Sequence, residues 1–168
     1  MRRTEKEIKD LSIIRQIFED SVVCRIALID EDEPYIVPLN YGYQENFLYF
    51  HSAPTGRKME LLKKATRVCF EIEYSSEVVN DEVPCKWTSK YRSVIGWGRM
   101  ETIRDPVAMK QGMDVIMRKY GATGPLQYNE KLMNRMVMRF LTPTYGIGSS
   151  NAVRRGDFWL SFRVRLSV

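Results

Sequence analysis

Histidine is nearly absent from this chain: one residue, His51, in 168. A lone imidazole excludes any site built from several histidines, zinc-finger sets included. Cysteine is scarce too, with Cys24, Cys69 and Cys85 far apart and no C-x-x-C pair. An odd, scattered set argues against a disulfide framework and for a reduced, cytosolic protein. Cys24 and Cys69 stand among Val, Ile and Phe, where a thiol acts as a small hydrophobe. Cys85, beside Lys86, is the one thiol in polar surroundings and is read as inert surface. No apolar run approaches the ~20 residues that a membrane-spanning helix needs. The opening M-R-R-T-E-K-E has no apolar segment behind its cations and carries two acids. That argues against a cleaved secretory signal and against an organellar transit peptide. No catalytic triad or carboxylate pair stands out.

What is present suits one soluble domain with a real core. The net charge of +5 admits nucleic acid, but it equally suits an anionic cofactor. The cations are dispersed except at Arg154-Arg155 and Arg163/Arg165, and few aromatics interleave with those. The pattern favours a solvated surface over a nucleic-acid groove.

Periodicity predicts a helix over residues 5–20, with Ile8, Leu11, Ile14, Ile17 and Phe18 inward and Thr4/Glu7 as a capping box. A β-rich run follows at 21–29 and ends in the acidic turn Asp30-Glu31-Asp32-Glu33, read as solvated rather than metal-binding. Residues 35–43 form a second strand, in which Pro38 marks an edge or a bulge. Residues 47–51 form a third strand, joined to the second as a hairpin. A short helix at 56–65, a strand at 67–74, a loop at 77–90 and a strand at 91–103 come next. Asp105-Pro106 starts a helix to about Tyr120, whose Met109, Met113 and Met117 are read as packing. A sixth strand spans 136–140. Beyond it the chain turns rich in Gly, Ser and Thr. The fold expected is α+β, a mainly antiparallel six-stranded barrel with peripheral helices. Residues 1–140 would form the domain and 141–168 a C-terminal extension.

Residues 48–58, L-Y-F-H-S-A-P-T-G-R-K, concentrate the chemistry. An apolar strand end gives way to a turn of small residues, then to Arg57-Lys58 at a helix start. Hydroxyls, helix N–H groups and an Arg-Lys pair suit a phosphate monoester. Cations at a helix N-terminus oppose the dipole unless an anion sits there, which marks the pair as unusual surface.

Several stretches in order carry a resemblance: V-P-L-N-Y (37–41), Y-F-H-S-A-P-x-G-R-K (49–58), R-V-C-F-E (67–71) and Y-R-S-V-I-G-W-G (91–98). With the opening M-R-R, they resemble the 5-nitroimidazole resistance (Nim) branch of the pyridoxamine 5′-phosphate oxidase-like split-barrel superfamily, over roughly residues 1–140. The resemblance implies a homodimer with FMN in clefts between subunits. It implies reduction of nitro compounds such as 5-nitroimidazoles, with NADH or NADPH as a possible electron donor. By position, Arg57 and Lys58 would bind phosphate, with Phe50, His51 and Ser52 beside them. Pro38, Leu39 and Asn40 would line the isoalloxazine. Ser93 would stand where the superfamily has glutamine, and His51 would be the active-site residue. Trp87 and Trp97 are the candidates to stack on the ring. No metal is implied. Two alternatives share the fold: a non-catalytic flavin- or haem-binding module, and a pyridoxamine phosphate oxidase. The missing glutamine and the unmatched tail argue against the second.

Overall fold

The computed structural model describes residues 8–65, 67–144 and 163–167. Its first helix, α1, runs from Leu11 to Asp20 rather than from residue 5, because Asp10 caps it. The Asp10 carboxylate accepts from the Ser12 N–H at 2.8 Å, which fixes the start. The Thr4/Glu7 capping box lies outside the described residues. Ile14, Ile17 and Phe18 are buried, as the helical spacing required.

Two strands form the first hairpin, β1 (Val23–Asp30) and β2 (Glu33–Asn40), in register from Asp30↔Glu33 to Val23↔Asn40. The chain breaks at Tyr41, so the strand expected over 35–43 is two. The short β3 (Gly42–Gln44), not β2, pairs with β4 (Phe47–Ser52). Glu45 and Asn46 adopt φ of 51° and 67°, the conformation that a two-residue hairpin turn demands. The helix α2 (Arg57–Lys64) follows, then β5 (Arg67–Val79) and β6 (Thr88–Ile103). The predicted loop at 77–90 shrinks to 80–87, since β5 and β6 stay paired out to Val79↔Thr88 across a bulge at Tyr74/Ser76. A 3-10 turn at Pro84–Lys86 closes this arm. The long helix α3 (Pro106–Lys119), the single turn α4 (Glu130–Met133), β7 (Val137–Thr144) and β8 (Arg163–Ser167) complete the chain.

All the strand pairs are antiparallel, in the order β2-β1-β5-β6-β7-β4-β3, with β8 also on β6. The sheet curls until β2 touches β4. Eight strands therefore build it where six were expected, because β3 is separate and β8 joins from beyond residue 140. One edge of β6 is shared in tandem: Thr144 pairs with Trp97 and Arg163 with Ile95. Inward positions of the central strands, among them Cys24, Ile26, Phe70, Ile72, Val94 and Leu141, have essentially no exposed surface. They and Phe18 form the core.

α3 packs across the outside of β3 and β4. A Cβ at Gly42 would lie 2.7 Å from the Ile116 nitrogen, so only glycine lets strand and helix backbones meet there. The most buried positions of α3 are Gly112 and Ile116; Met109, Met113 and Met117 are half-buried beside them.

The C-terminal end of α1 is held by side chains from elsewhere. Tyr41 donates to the Phe18 carbonyl at 2.8 Å. Lys119 donates to the same carbonyl at 2.6 Å and to Glu19 O at 2.8 Å, with its ammonium 4.4 Å from the Tyr41 ring centre. Carbonyls of a last helical turn lack intrahelical partners, so these donors satisfy them.

Candidate functional site

The start of α2 is a local consequence of sequence. Gly56 takes φ 107°, which only glycine adopts without strain, and no side chain caps the helix. The first N–H groups of α2 are therefore left for another acceptor. Met59, Leu61 and Leu62 bury one face of the helix, and Ser52 Oγ lies 3.3 Å from Met59 Sδ. The last residue of β4 is thereby fixed against α2.

Arg57 and Lys58 diverge from this start. Arg57 Nε donates to Asp30 Oδ2 at 2.6 Å, its Nη2 reaches Glu33 Oε2 at 3.5 Å, and its guanidinium stacks 4.9 Å from the centre of the Tyr35 ring. The β1–β2 turn read as merely solvated thus supplies carboxylates to the cation. The anion that the helix start called for is, for Arg57, the protein's own. Arg57 is exposed in both pairs, so water screens them and they hold the cation only weakly. Lys58 is half-buried, and burial lowers its pKa. It forms no ion pair among the described residues.

His51 stands on β4 opposite Met138. Its imidazole is half-buried, and its pKa is lowered first by burial and then by the Lys58 charge. The ring is therefore neutral near pH 7, when one nitrogen donates and the other accepts.

The other expected site residues lie on different faces. Phe50, one residue from His51, points the opposite way into the core, 6.3 Å from the Tyr41 ring centre. Its side chain packs; only its backbone could meet a ligand. Pro38 and Asn40 are exposed on the edge strand β2, as the proline predicted, while Leu39 between them is half-buried towards the core. Pro38 is opposite Arg25, which pairs with Glu71 at 3.0 Å on the outer face. Ser93 is buried on β6 opposite Glu73, three strand positions from β2. Trp87 is exposed at the tip of the β5–β6 arm, its indole donating to Asp81 O at 2.6 Å. Trp97 is half-buried opposite Cys69. The structure brings together His51 and Lys58; Ser52 faces the other side of β4, against Met59, and Ser93 and the tryptophans stand apart within one chain. Among the described residues, no three His, Cys, Asp or Glu side chains cluster as metal ligands. No helix among them is long and apolar enough to cross a membrane.

One residue escaped the sequence reading. Arg139 on β7 faces inward opposite Phe50 and is 7% exposed. The only signal was a cation inside the otherwise apolar run M-V-M-R-F.

The sequence profile of the pyridoxamine 5′-phosphate oxidase family matches residues 10–143, from the cap of α1 to the end of β7. The chain belongs to this family. A candidate 5-nitroimidazole antibiotic resistance protein from Bacteroides thetaiotaomicron is 26% identical, with a TM-score of 0.74 over 83% of this chain and 82% of that one. An FAD- and haem-binding protein from Mycobacterium smegmatis superposes with a TM-score of 0.76 over 96% of this chain and 73% of that one. At 18% identity it shows a shared fold alone. An uncharacterized protein of Rhizobium meliloti is 28% identical over 89 residues, 47% of this chain. The match spans only 58% of that relative's length. These likenesses agree with the α+β antiparallel split barrel seen in the strand order.

Proposed function

We propose that this chain is a flavin-dependent reductase of the Nim branch, binding FMN and able to reduce nitro compounds such as 5-nitroimidazoles. The observation that carries the reading is the pairing of a neutral, half-buried His51 with a half-buried Lys58 at an uncapped helix start. The 26% identity to the candidate nitroimidazole resistance protein supports the branch. An uncapped helix with a desolvated lysine at its second residue fits a phosphate monoester. In this reading Lys58 and the N–H groups of α2 hold the phosphate. Arg57 joins by exchanging Asp30 and Glu33 for the phosphate, at little cost because those pairs are exposed.

A bound flavin would supply the redox chemistry, the acceptance of hydride from a donor such as NADH or NADPH and the delivery of electrons to the substrate. The chain's own residues bind and orient. Pro38 and Asn40 offer the exposed face of β2 to the ring. His51 holds a donor N–H at the site, and it can relay a proton while its ring stays neutral. Trp97 and Ser93, too far along the sheet to join His51 within one chain, would act across a homodimer cleft. Residues 141–168 we treat as an extension that completes β7 and adds β8 to the sheet.

Titration with FMN tests this. Lys58→Ala should weaken binding by about 1.5–3 kcal/mol, the contribution of a charge-assisted hydrogen bond. Arg57→Ala should cost less, because the pairs with Asp30 and Glu33 are lost alongside. A colourless protein that takes up no FMN would sink the proposal. Anaerobic mixing with NADH or NADPH and then a nitroimidazole should bleach the flavin and restore its colour.

A second reading is a non-catalytic haem-binding module. Its support is the same neutral imidazole, the form that ligates iron. Haemin titration of the wild type and His51→Ala separates it: a Soret shift that needs His51, with no nitro reduction, would favour the module.

A further inference from the structure

We propose that the mouth of the barrel beneath α2 holds a second anion site, centred on Arg139 and selective for a small oxyanion. Arg139 is the first strongly buried inward position of β7, opposite Phe50 on β4 and Thr102 on β6. The next inward position, Leu141, has no exposed surface and pairs with Leu48 and Met100, so the guanidinium stands where the apolar core ends. Arg139 Nε is buried without a hydrogen-bond partner among the described residues. None of the ion pairs among the described residues includes Arg139. The two acids on β1 and β2 at the Arg57 end of the barrel, Asp30 and Glu33, are both engaged by Arg57.

A guanidinium remains charged in any protein environment, so burial cannot be relieved by loss of a proton. A buried charge without a partner is costly, and a fold that only needed to fill this position would do better with methionine. The fork of N–H donors matches a carboxylate or a phosphate. Two hydroxyls stand on the same side of the sheet at this end. Ser52 follows Phe50 at the next inward position of β4, and Thr102 pairs directly with Arg139 and is exposed. Thr102 supplies a further donor, Ser52 directs its hydroxyl to Met59 Sδ, and together they mark the way in. His51 and Lys58 belong to a different group, because His51 projects from the opposite face of β4. The site is therefore separate from the phosphate grip proposed above and does not depend on it.

The test uses the full chain and two probes, inorganic phosphate and acetate, read by thermal shift and by the NMR signal of Arg139 Nε–H. The expected result is a concentration-dependent rise in Tm with at least one anion, with the Arg139 Nε–H signal moving in step. Comparing the probes identifies phosphate or carboxylate as the preferred class. Arg139→Met should abolish the rise while leaving the anion-free protein as stable as the wild type or more so. Arg139→Lys should keep a weakened response. Lys58→Ala should keep the full response, which separates this site from FMN binding. The inference is overturned if the Nε–H signal ignores both anions. It is equally overturned if Arg139→Met responds like the wild type, or if it loses stability with its anion response intact. Loss of FMN binding in Lys58→Ala with the Arg139 response unchanged would leave both readings standing.

Discussion

The Phe18 carbonyl accepts two hydrogen bonds from outside its own helix, and the structure dictates how the two should couple. Tyr41 Oη donates at 2.8 Å and Lys119 Nζ at 2.6 Å. Phe18 and Tyr41 have no exposed surface, so water has little access to replace either donor. Tyr41→Phe removes a neutral hydrogen bond worth about 1 kcal/mol, and the carbonyl keeps Lys119. Lys119→Met removes charge-assisted bonds to Phe18 and Glu19, about 2 kcal/mol, and the carbonyl keeps Tyr41. Burial lowers the Lys119 ammonium to about 8, so it is still charged at pH 7. The double variant leaves the carbonyl with no donor, which adds a desolvation penalty of about 1–3 kcal/mol beyond the sum. Urea unfolding at pH 7 of the wild type, both singles and the double closes the cycle. At roughly 2–4 °C per kcal/mol for a domain of this size, the double should lose at least about 8 °C in Tm. Additivity within about 0.5 kcal/mol would refute the reasoning, because it would mean that the two donors do not share an acceptor that matters.

Three further outcomes follow from other parts of the molecule. Gly98→Ala would place a Cβ 2.6 Å from both Leu141 Cδ2 and the Thr142 carbonyl, and part of that clash is with backbone. A loss of about 1–3 kcal/mol is expected, while Gly124→Ala, in open space but at φ 71°, should lose only about 1 kcal/mol through its backbone; thermal melts compare them. His51 is held below 6.5 in the fold, so the unfolded chain binds more protons as pH falls beneath that value. Stability should therefore be fully present above pH 6.5 and decline below it, with a shallower decline in His51→Gln; equal slopes would count against a buried neutral ring. Asp105→Ala removes the acceptor for the Ala108 N–H at 2.8 Å and should cost about 1 kcal/mol, measured by chemical unfolding.

Much of this fold was legible because its signals are local. Asp105-Pro106 set the start of α3, and alternation in β1 and β6 set their inward faces. The misreadings came where local signals compete. Residues 77–90 carry polar loop chemistry, yet β5 and β6 stay paired through both ends of the stretch, to Val79↔Thr88, because each strand satisfies the other's backbone. Residues 35–43 read as one β-rich run, but Tyr41 leaves the strand to reach Phe18, which no pattern along the chain records.

The sequence alone determined the superfamily and the antiparallel α+β plan, because ordered motifs and turn residues are properties of neighbours. Tertiary structure decided which charges meet. It gave Arg57 to Asp30 and Glu33, set Lys58 beside His51, turned Phe50 into the core and left the Arg139 Nε buried without a hydrogen-bond partner among the described residues. Those outcomes depend on strand register and on the curl of the sheet, and both join residues that the chain holds far apart.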